Sequence, residues 1–259
     1  MQVDQKSAME GVTARWPDRI WVVRHGQSAG NVARDHAEAE GITLIELEHR
    51  DADVPLSALG ERQSAALADW VAKMPEADRP NVVLVSPYVR ARQTAEAVAA
   101  VLGHPSSALI VDERLREKEF GVLDRYTSSG IRATFPELAE QRKLVGKFYF
   151  RPPGGESWCD VILRLRGVIG DLQRSHVGAN VMVVGHQVIV NCMRYLLEGL
   201  DERAILDIDR EGDVPNCGVT EYRASDAGDA LELVTTNFVP AELEQQGRTG
   251  APDTPAGAR

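Results

Sequence analysis

Short apolar runs alternate along the chain with longer stretches in which apolar positions recur every three or four residues. Residues 19–23 (R-I-W-V-V), 81–85 (N-V-V-L-V), 109–111 (L-I-V) and 180–184 (N-V-M-V-V) are runs of the first kind. Apolar runs this short and this rich in β-branched side chains predict strands buried on both faces. After Pro55-Leu56-Ser57, the residues Leu59, Ala66, Leu67, Trp70, Val71 and Met74 share one helical face. Val89, Ala95, Val98, Ala99 and Leu102 mark a second helix. Val161, Leu165, Val168, Ile169 and Leu172 mark a third, after the Pro/Gly turn at 152–155, and 188–197 a fourth. Residues 219–223 and 231–235 predict closing strands. This alternation predicts an α/β domain with a mainly parallel central sheet, in which ligands gather at the carboxyl ends of the strands.

A chain of 259 residues is long enough for one large domain with its own core. The pattern assigns 16–240 to that domain, with the charged stretch 33–53 as an inserted surface helix and loop. Residues 1–15, and the Gly/Pro/Ala-rich stretch 241–259, are expected to lack fixed structure. Hydrophobic residues make up 43 % and charged residues 26 %, and no apolar run reaches the roughly 18–20 residues that span a bilayer. The first 16 residues contain no apolar secretory stretch, so a cytoplasmic protein is expected. Cys159, Cys192 and Cys217 form no metal or redox pattern and are expected as reduced thiols. The net charge of −10 argues against general affinity for nucleic acid or an anionic membrane. It does not argue against a small anion, because a local arginine cluster outweighs the global field at close range.

Candidate chemistry sits where the predicted strands end. The strand at 19–23 runs into Arg24-His25-Gly26-Gln27-Ser28, with Asn31 just beyond. His25 is a potential nucleophile or base, and Arg24 is a donor fork suited to phosphate or carboxylate. Gly26 permits close backbone approach, and Gln27, Ser28 and Asn31 add neutral polar groups. Taken alone, a His-Gly pair is more often an ordinary polar strand cap. The second strand, however, ends at Ser86-Pro87-Tyr88-Val89-Arg90, which puts Arg90 near a helix N-terminus, where anions are favoured. The strand at 180–184 ends at Gly185-His186-Gln187. Leu115-Arg116-Glu117-Lys118-Glu119-Phe120-Gly121 adds carboxylates after another strand. His49, Asp51 and Asp53 lie close in sequence, but their acidic run reads as a solvated face rather than a metal site.

Together these segments resemble the histidine phosphatase superfamily, the phosphoglycerate mutase-like proteins. The resemblance rests on R-H-G-Q-S-x-x-N at 24–31, S-P-x-x-R-A-x-Q-T-A-E at 86–96, L-R-E-x-x-F-G at 115–121 and V-V-G-H-Q at 183–187, with P-G-G-E-S at 153–157 and N-C-G-V-T at 216–220. It implies a three-layer sandwich with helices on both faces of the sheet. It also implies a phosphomonoesterase acting on a small phosphorylated substrate, without metal or other cofactor, and allows a homodimer. His25 would attack phosphorus as a neutral imidazole and form a phosphohistidine. Arg24, Arg90 and His186 would hold the phosphoryl oxygens. Glu117 would donate the leaving group's proton, its neutral form favoured beside a dianionic phosphate. Gln27, Ser28, Asn31 and Gln187 would complete the cradle.

Two other functions are compatible with the resemblance. A mutase must hold a second phosphate, which Lys118, Lys147 or Arg151 could meet. Yet the chain lacks the arginine-tyrosine pair after the acid and the paired-arginine segment of the glycolytic mutases. A non-catalytic phospholigand binder would be expected to have lost a catalytic residue, and none of the expected types is missing. Phe135, Phe148, Tyr149 and Phe150 are expected to divide between core packing and the wall of the substrate pocket.

Overall fold

Isoleucine, tryptophan and two valines in succession need apolar neighbours on both sides, and β1 (Arg19–Arg24) obtains them as an interior strand. The computed structural model describes residues 16–247, 249 and 250; segment 1–15 and residues 251–259, both expected without fixed structure, lie outside the described residues. β1 pairs in parallel with β4 (Asn180–Gly185) and antiparallel with β5 (Val219–Ala224). β4 pairs in parallel with β2 (Val82–Val85), and β2 with β3 (Ile110–Val111). β6 (Leu231–Phe238) closes the far edge antiparallel to β5, giving the order β3-β2-β4-β1-β5-β6. Parallel pairing therefore covers four of the six strands, β3, β2, β4 and β1.

Strand side chains alternate between faces, and the two faces have separate cores. Ile20, Val22, Leu84, Val181 and Val183 pack against α6 (Trp158–Ser175) and α7 (Gln187–Leu197), through Leu165, Val168, Ile189 and Met193. Trp21, Val23, Val83, Val85, Met182 and Val184 pack on the other face against α2 (Ala58–Lys73) and α3 (Val89–Val101), through Leu67, Val71, Ala95 and Val98. The result is the expected three-layer sandwich. The helices start where polar side chains satisfy their first N–H groups. Ser57 accepts from Gly60 N, and Ser157 forms a capping box with Asp160. All three cysteines are free thiols, and no helix among the described residues is long and apolar enough to cross a membrane.

Two expectations change. Helix α1 (Ala29–Ala39) begins directly after the strand-end motif, not at 33. The loop after it is clasped by residues 125–127. Ile45 N donates to Arg125 O (2.8 Å), Arg125 donates to the carbonyls of Leu47 (3.0 Å) and His49 (2.7 Å), and Thr127 Oγ1 donates to Ile42 O (2.8 Å). The tail expected to be disordered from 241 begins with a short helix, α9 (Ala241–Glu244), whose Leu243 is fully buried in the α2 face. Further on, Gln63 Nε2 donates to Gly247 O and Thr249 Oγ1, and Asn216 N to Thr249 O. The aromatic residues go mostly to packing. Phe148 joins Trp158 and Tyr195 in the core, and Phe135 and Phe150 lie in a small cluster with Leu123, Tyr126 and Ile131, while Tyr149 is exposed.

Candidate active site

β1 and β4 are in register, with Arg24 opposite Gly185, so the residue after each strand lies beside the other. His25 N donates to Gly185 O at 3.0 Å. The imidazoles of His25 and His186 stand edge to face, their centroids 5.1 Å apart. That separation is close to the spacing of neighbouring strands, about 4.8 Å. Both rings are fully buried.

The hydrogen bonds define the state of His25. Nδ1 lies 2.6 Å from the carbonyl oxygen of Gly26. A carbonyl only accepts, so Nδ1 carries the proton. Nε2 accepts from Arg90 Nε at 3.3 Å. The imidazole is therefore neutral, with its Nε2 lone pair directed at the guanidinium. Arg90 lies in the first turn of α3 and is itself buried. Its Nη1 donates to Asp51 O at 2.5 Å, and its Nη2 is 3.1 Å from Asp51 Oδ1. The Tyr88 ring lies under the guanidinium at 5.0 Å and edge to face with His186 at 5.1 Å.

Arg24 is anchored by Nη1 to Val214 O (2.6 Å). The loop before β5 braces the main chain of Arg24 and His25: Cys217 N donates to Arg24 O (2.9 Å), and Asn216 Nδ2 to His25 O (3.0 Å). His186 Nε2 shares a 2.7 Å hydrogen bond with Ser86 Oγ, at the end of β2. Two glycines permit close approach here. A Cβ on Gly60 would lie 1.9 Å from Gln27 O, so α2 presses directly on the turn after His25. Gly121 has φ 55, and a Cβ there would lie 2.1 Å from Pro153 O, which ties the acidic loop to the P-G-G-E-S turn.

Glu117 is buried on an irregular loop, and Oε1 accepts from Lys118 N at 2.8 Å. Arg164 of α6 secures that loop by donating to the carbonyls of Arg114 and, at 3.2 Å, Glu117. Glu156 receives Arg164 Nε (3.0 Å), Arg116 Nη2 (2.8 Å) and Glu119 N (3.1 Å). Tyr88 Oη donates to Glu119 Oε1 at 3.2 Å, joining the loop to the aromatic wall of the His186 pocket. Glu119 itself is exposed, unlike Glu117. Burial pushes the Lys118 ammonium down to about 8, against the opposing pull of Glu117 and Glu156, and its Nζ lies over the Phe120 ring at 4.2 Å.

The four neutral candidates make bonds within the protein. Gln27 Oε1 accepts from Ser57 Oγ (2.7 Å), which fixes α2 to the strand-end turn. Ser28 and Asn31 form the reciprocal capping box of α1, at 2.9 and 3.1 Å. Gln187 Nε2 donates to Asp213 Oδ1 (2.8 Å). Sequence reasoning missed Ser86 as the partner of His186, although it opens a quoted motif, and misread Asp51. Asp51 is not part of a solvated acidic face but reaches Arg90, while Asp53 pairs with Arg50 and His49 O accepts from Arg125. No signal short of the fold pairs residues 51 and 90. Among the described residues no three His, Cys, Asp or Glu side chains gather as a metal site would require.

This constellation lies at the carboxyl ends of parallel strands, and comparison with known proteins places the chain in a family. The pattern of the Histidine phosphatase superfamily (branch 1) matches residues 20–237, and the chain belongs to that superfamily. A Caenorhabditis elegans 6-phosphofructo-2-kinase/fructose-2,6-bisphosphatase is 32 % identical over 178 residues, 68 % of this chain and 33 % of the relative. The chain thus spans about a third of that relative's length. A "Probable phosphoglycerate mutase GpmB" of Photorhabdus laumondii subsp. laumondii is 28 % identical over 72 % of this chain and 77 % of its own. Among solved structures, a mycobacterial glucosyl-3-phosphoglycerate phosphatase in complex with VO3 superimposes with a TM-score of 0.64 at 26 % identity, over 84 % of this chain and 98 % of that one.

Proposed function

We propose that the chain is a phosphomonoesterase that hydrolyses a small phosphorylated substrate through a phosphohistidine on His25. The observation that carries this reading is the neutral His25 imidazole, with Nε2 accepting from Arg90 and Nδ1 held by Gly26 O. Nε2 attacks phosphorus, an N–P bond forms, and the P–O bond to the leaving group breaks. Arg24, Arg90 and His186 stabilise the charge on the phosphoryl oxygens, as phosphoryl transfer requires. Glu117 gives its proton to the departing alkoxide. Water then attacks phosphorus, its proton passes to the Glu117 carboxylate, the N–P bond breaks and inorganic phosphate leaves. Gln27, Ser28 and Asn31 hold the strand-end turn and the start of α1 in place around this centre, and Gln187 holds the start of α7.

Two ion pairs favour hydrolysis over mutase chemistry. Lys147 is bound to Asp209, and Arg151 to Asp160. Two of the cations that could have met a second phosphate therefore already have carboxylate partners. The solved relative that acts on glucosyl-3-phosphoglycerate points toward a phosphorylated sugar-acid or similar metabolite as the substrate class. The test is phosphate release over a panel of sugar phosphates, phosphoglycerates, nucleotides and phospho-amino acids, with and without 2,3-bisphosphoglycerate. Release of inorganic phosphate independent of the bisphosphate supports the proposal. Bisphosphate-stimulated isomerisation replaces it with a mutase, and no turnover on any substrate replaces it with a phospholigand binder.

A further inference from the structure

Every nitrogen of the Arg90 guanidinium is engaged by a named partner. Nε donates to His25 Nε2 (3.3 Å), and Nη1 donates to the main-chain oxygen of Asp51 (2.5 Å). Nη2 lies 3.1 and 3.3 Å from the two carboxylate oxygens of Asp51. A carboxylate matches the planar fork of a guanidinium, and so does one edge of a phosphoryl group. Both are anions, and Arg90 donates directly to the attacking nitrogen, His25 Nε2.

We propose that Asp51 sets phosphate affinity by competition, its carboxylate and a phosphoryl oxygen being alternative partners for the same edge of Arg90. This rests on the phosphatase reading above and adds a residue to it. Asp51 is not there by accident of a loose loop. Arg125 grips the carbonyls of Leu47 and His49 from a left-handed backbone conformation, φ 63, that residues with side chains seldom adopt. The same loop continues into the 3-10 turn Asp51–Asp53. Asp51 also stands near further acids: burial, followed by the charge of Asp51, pushes the Asp124 carboxyl up. A phosphate entering the pocket therefore meets a fixed negative charge and must displace it from, or share with it, the Arg90 donors. Substrate and product phosphate suffer alike. Asp51 weakens the binding of both and hastens release of inorganic phosphate, with little effect on the chemical step itself.

Asp51→Asn tests this, because it keeps the shape and the main-chain acceptor and removes the charge. Binding of inorganic phosphate and of orthovanadate is measured by calorimetry, alongside KM and kcat for p-nitrophenyl phosphate. The Asp51 side chain is about 38 % exposed, so the expected gain is that of a screened pair. Phosphate Kd and KM should both fall about three- to fivefold, with kcat changed by less than about twofold. Asp51→Ser should move the same way, and Asp53→Asn, on the same turn but paired with Arg50, should change neither quantity. Unchanged or weaker phosphate binding in both Asp51 variants overturns the proposal and leaves Asp51 as a prop for Arg90. A wild-type protein that neither binds phosphate nor hydrolyses any phosphomonoester overturns the phosphatase reading as well. Wild-type activity without the Asp51 shift removes the competition alone.

Discussion

His25 Nδ1 donates to the Gly26 carbonyl at 2.6 Å, and this bond makes Nε2 the nitrogen that presents a lone pair. His186 directs its own Nε2 to Ser86 Oγ. His25→Ala should lower phosphate release by at least about a thousandfold, with an unchanged circular dichroism spectrum and no acid-labile phosphoenzyme on quenching. A variant with most of its turnover would take His25 out of the reaction.

Glu117 and Glu119 offer two carboxylates on one loop, one buried and one exposed. Glu117→Gln should slow alkyl phosphates about a hundredfold or more, and p-nitrophenyl phosphate, whose leaving group needs no proton, far less. Steady-state rates on both substrates read this directly. Equal losses would mean that Glu117 is not the acid.

Gly60 lies where the first turn of α2 meets the main chain of Gln27. With its Cβ position 1.9 Å from Gln27 O, Gly60→Ala must push the helix or the turn aside. The expected cost is about 2 kcal/mol or more in urea denaturation. A loss of kcat/KM should accompany it, because the displaced turn is the one that carries His25 and Gly26.

Lys118 sets a pH signature. Its folded value of about 8 lies below the ordinary 10.5. Between those values the unfolded chain holds the proton and the folded chain has released it. The unfolded state then binds more protons, so stability rises with pH through that window and levels off above it. Chemical denaturation at pH 7 to 10.5 should show this slope in the wild type, and Lys118→Met should flatten it. Identical slopes would place the titration elsewhere.

Leu243 is completely buried against the α2 face. Leu243→Ala should cost about 2–4 kcal/mol, the usual range for a buried leucine, as read by thermal or urea unfolding. The neighbouring Lys73–Glu242 pair, 2.5 Å apart and open to solvent, should contribute far less than that leucine.

The strands were legible because buried parallel strands leave an unbroken apolar signature. Residues 19–23 and 180–184 each proved one residue short of the strand observed. The convergence of His25, Arg90 and His186 was legible as well, because a parallel sheet gathers its strand ends at one edge. Three things were not. Helix α8 (Glu202–Glu211) has few apolar residues among many charges, and its burial comes from Ile205 against the α7 side. The start of the tail has a disordered composition, but a single leucine fitted into a helix groove outweighs that bias. Asp51 reads as solvent-facing because its partner lies 39 residues away. Gln27 also has a structural bond that the motif does not announce: its Oε1 accepts from Ser57 Oγ, the residue that caps α2.

The edge-to-face pair of imidazoles takes its spacing from the ladder between β1 and β4, a dimension that main-chain hydrogen bonds impose and side-chain substitution does not alter. The backbone thus holds these two rings at a set separation, before any loop is specified. The segments around 40–50 and 124–151 take no part in that ladder and can change without altering the spacing. A change confined to those loops therefore leaves the distance between the two rings as it is.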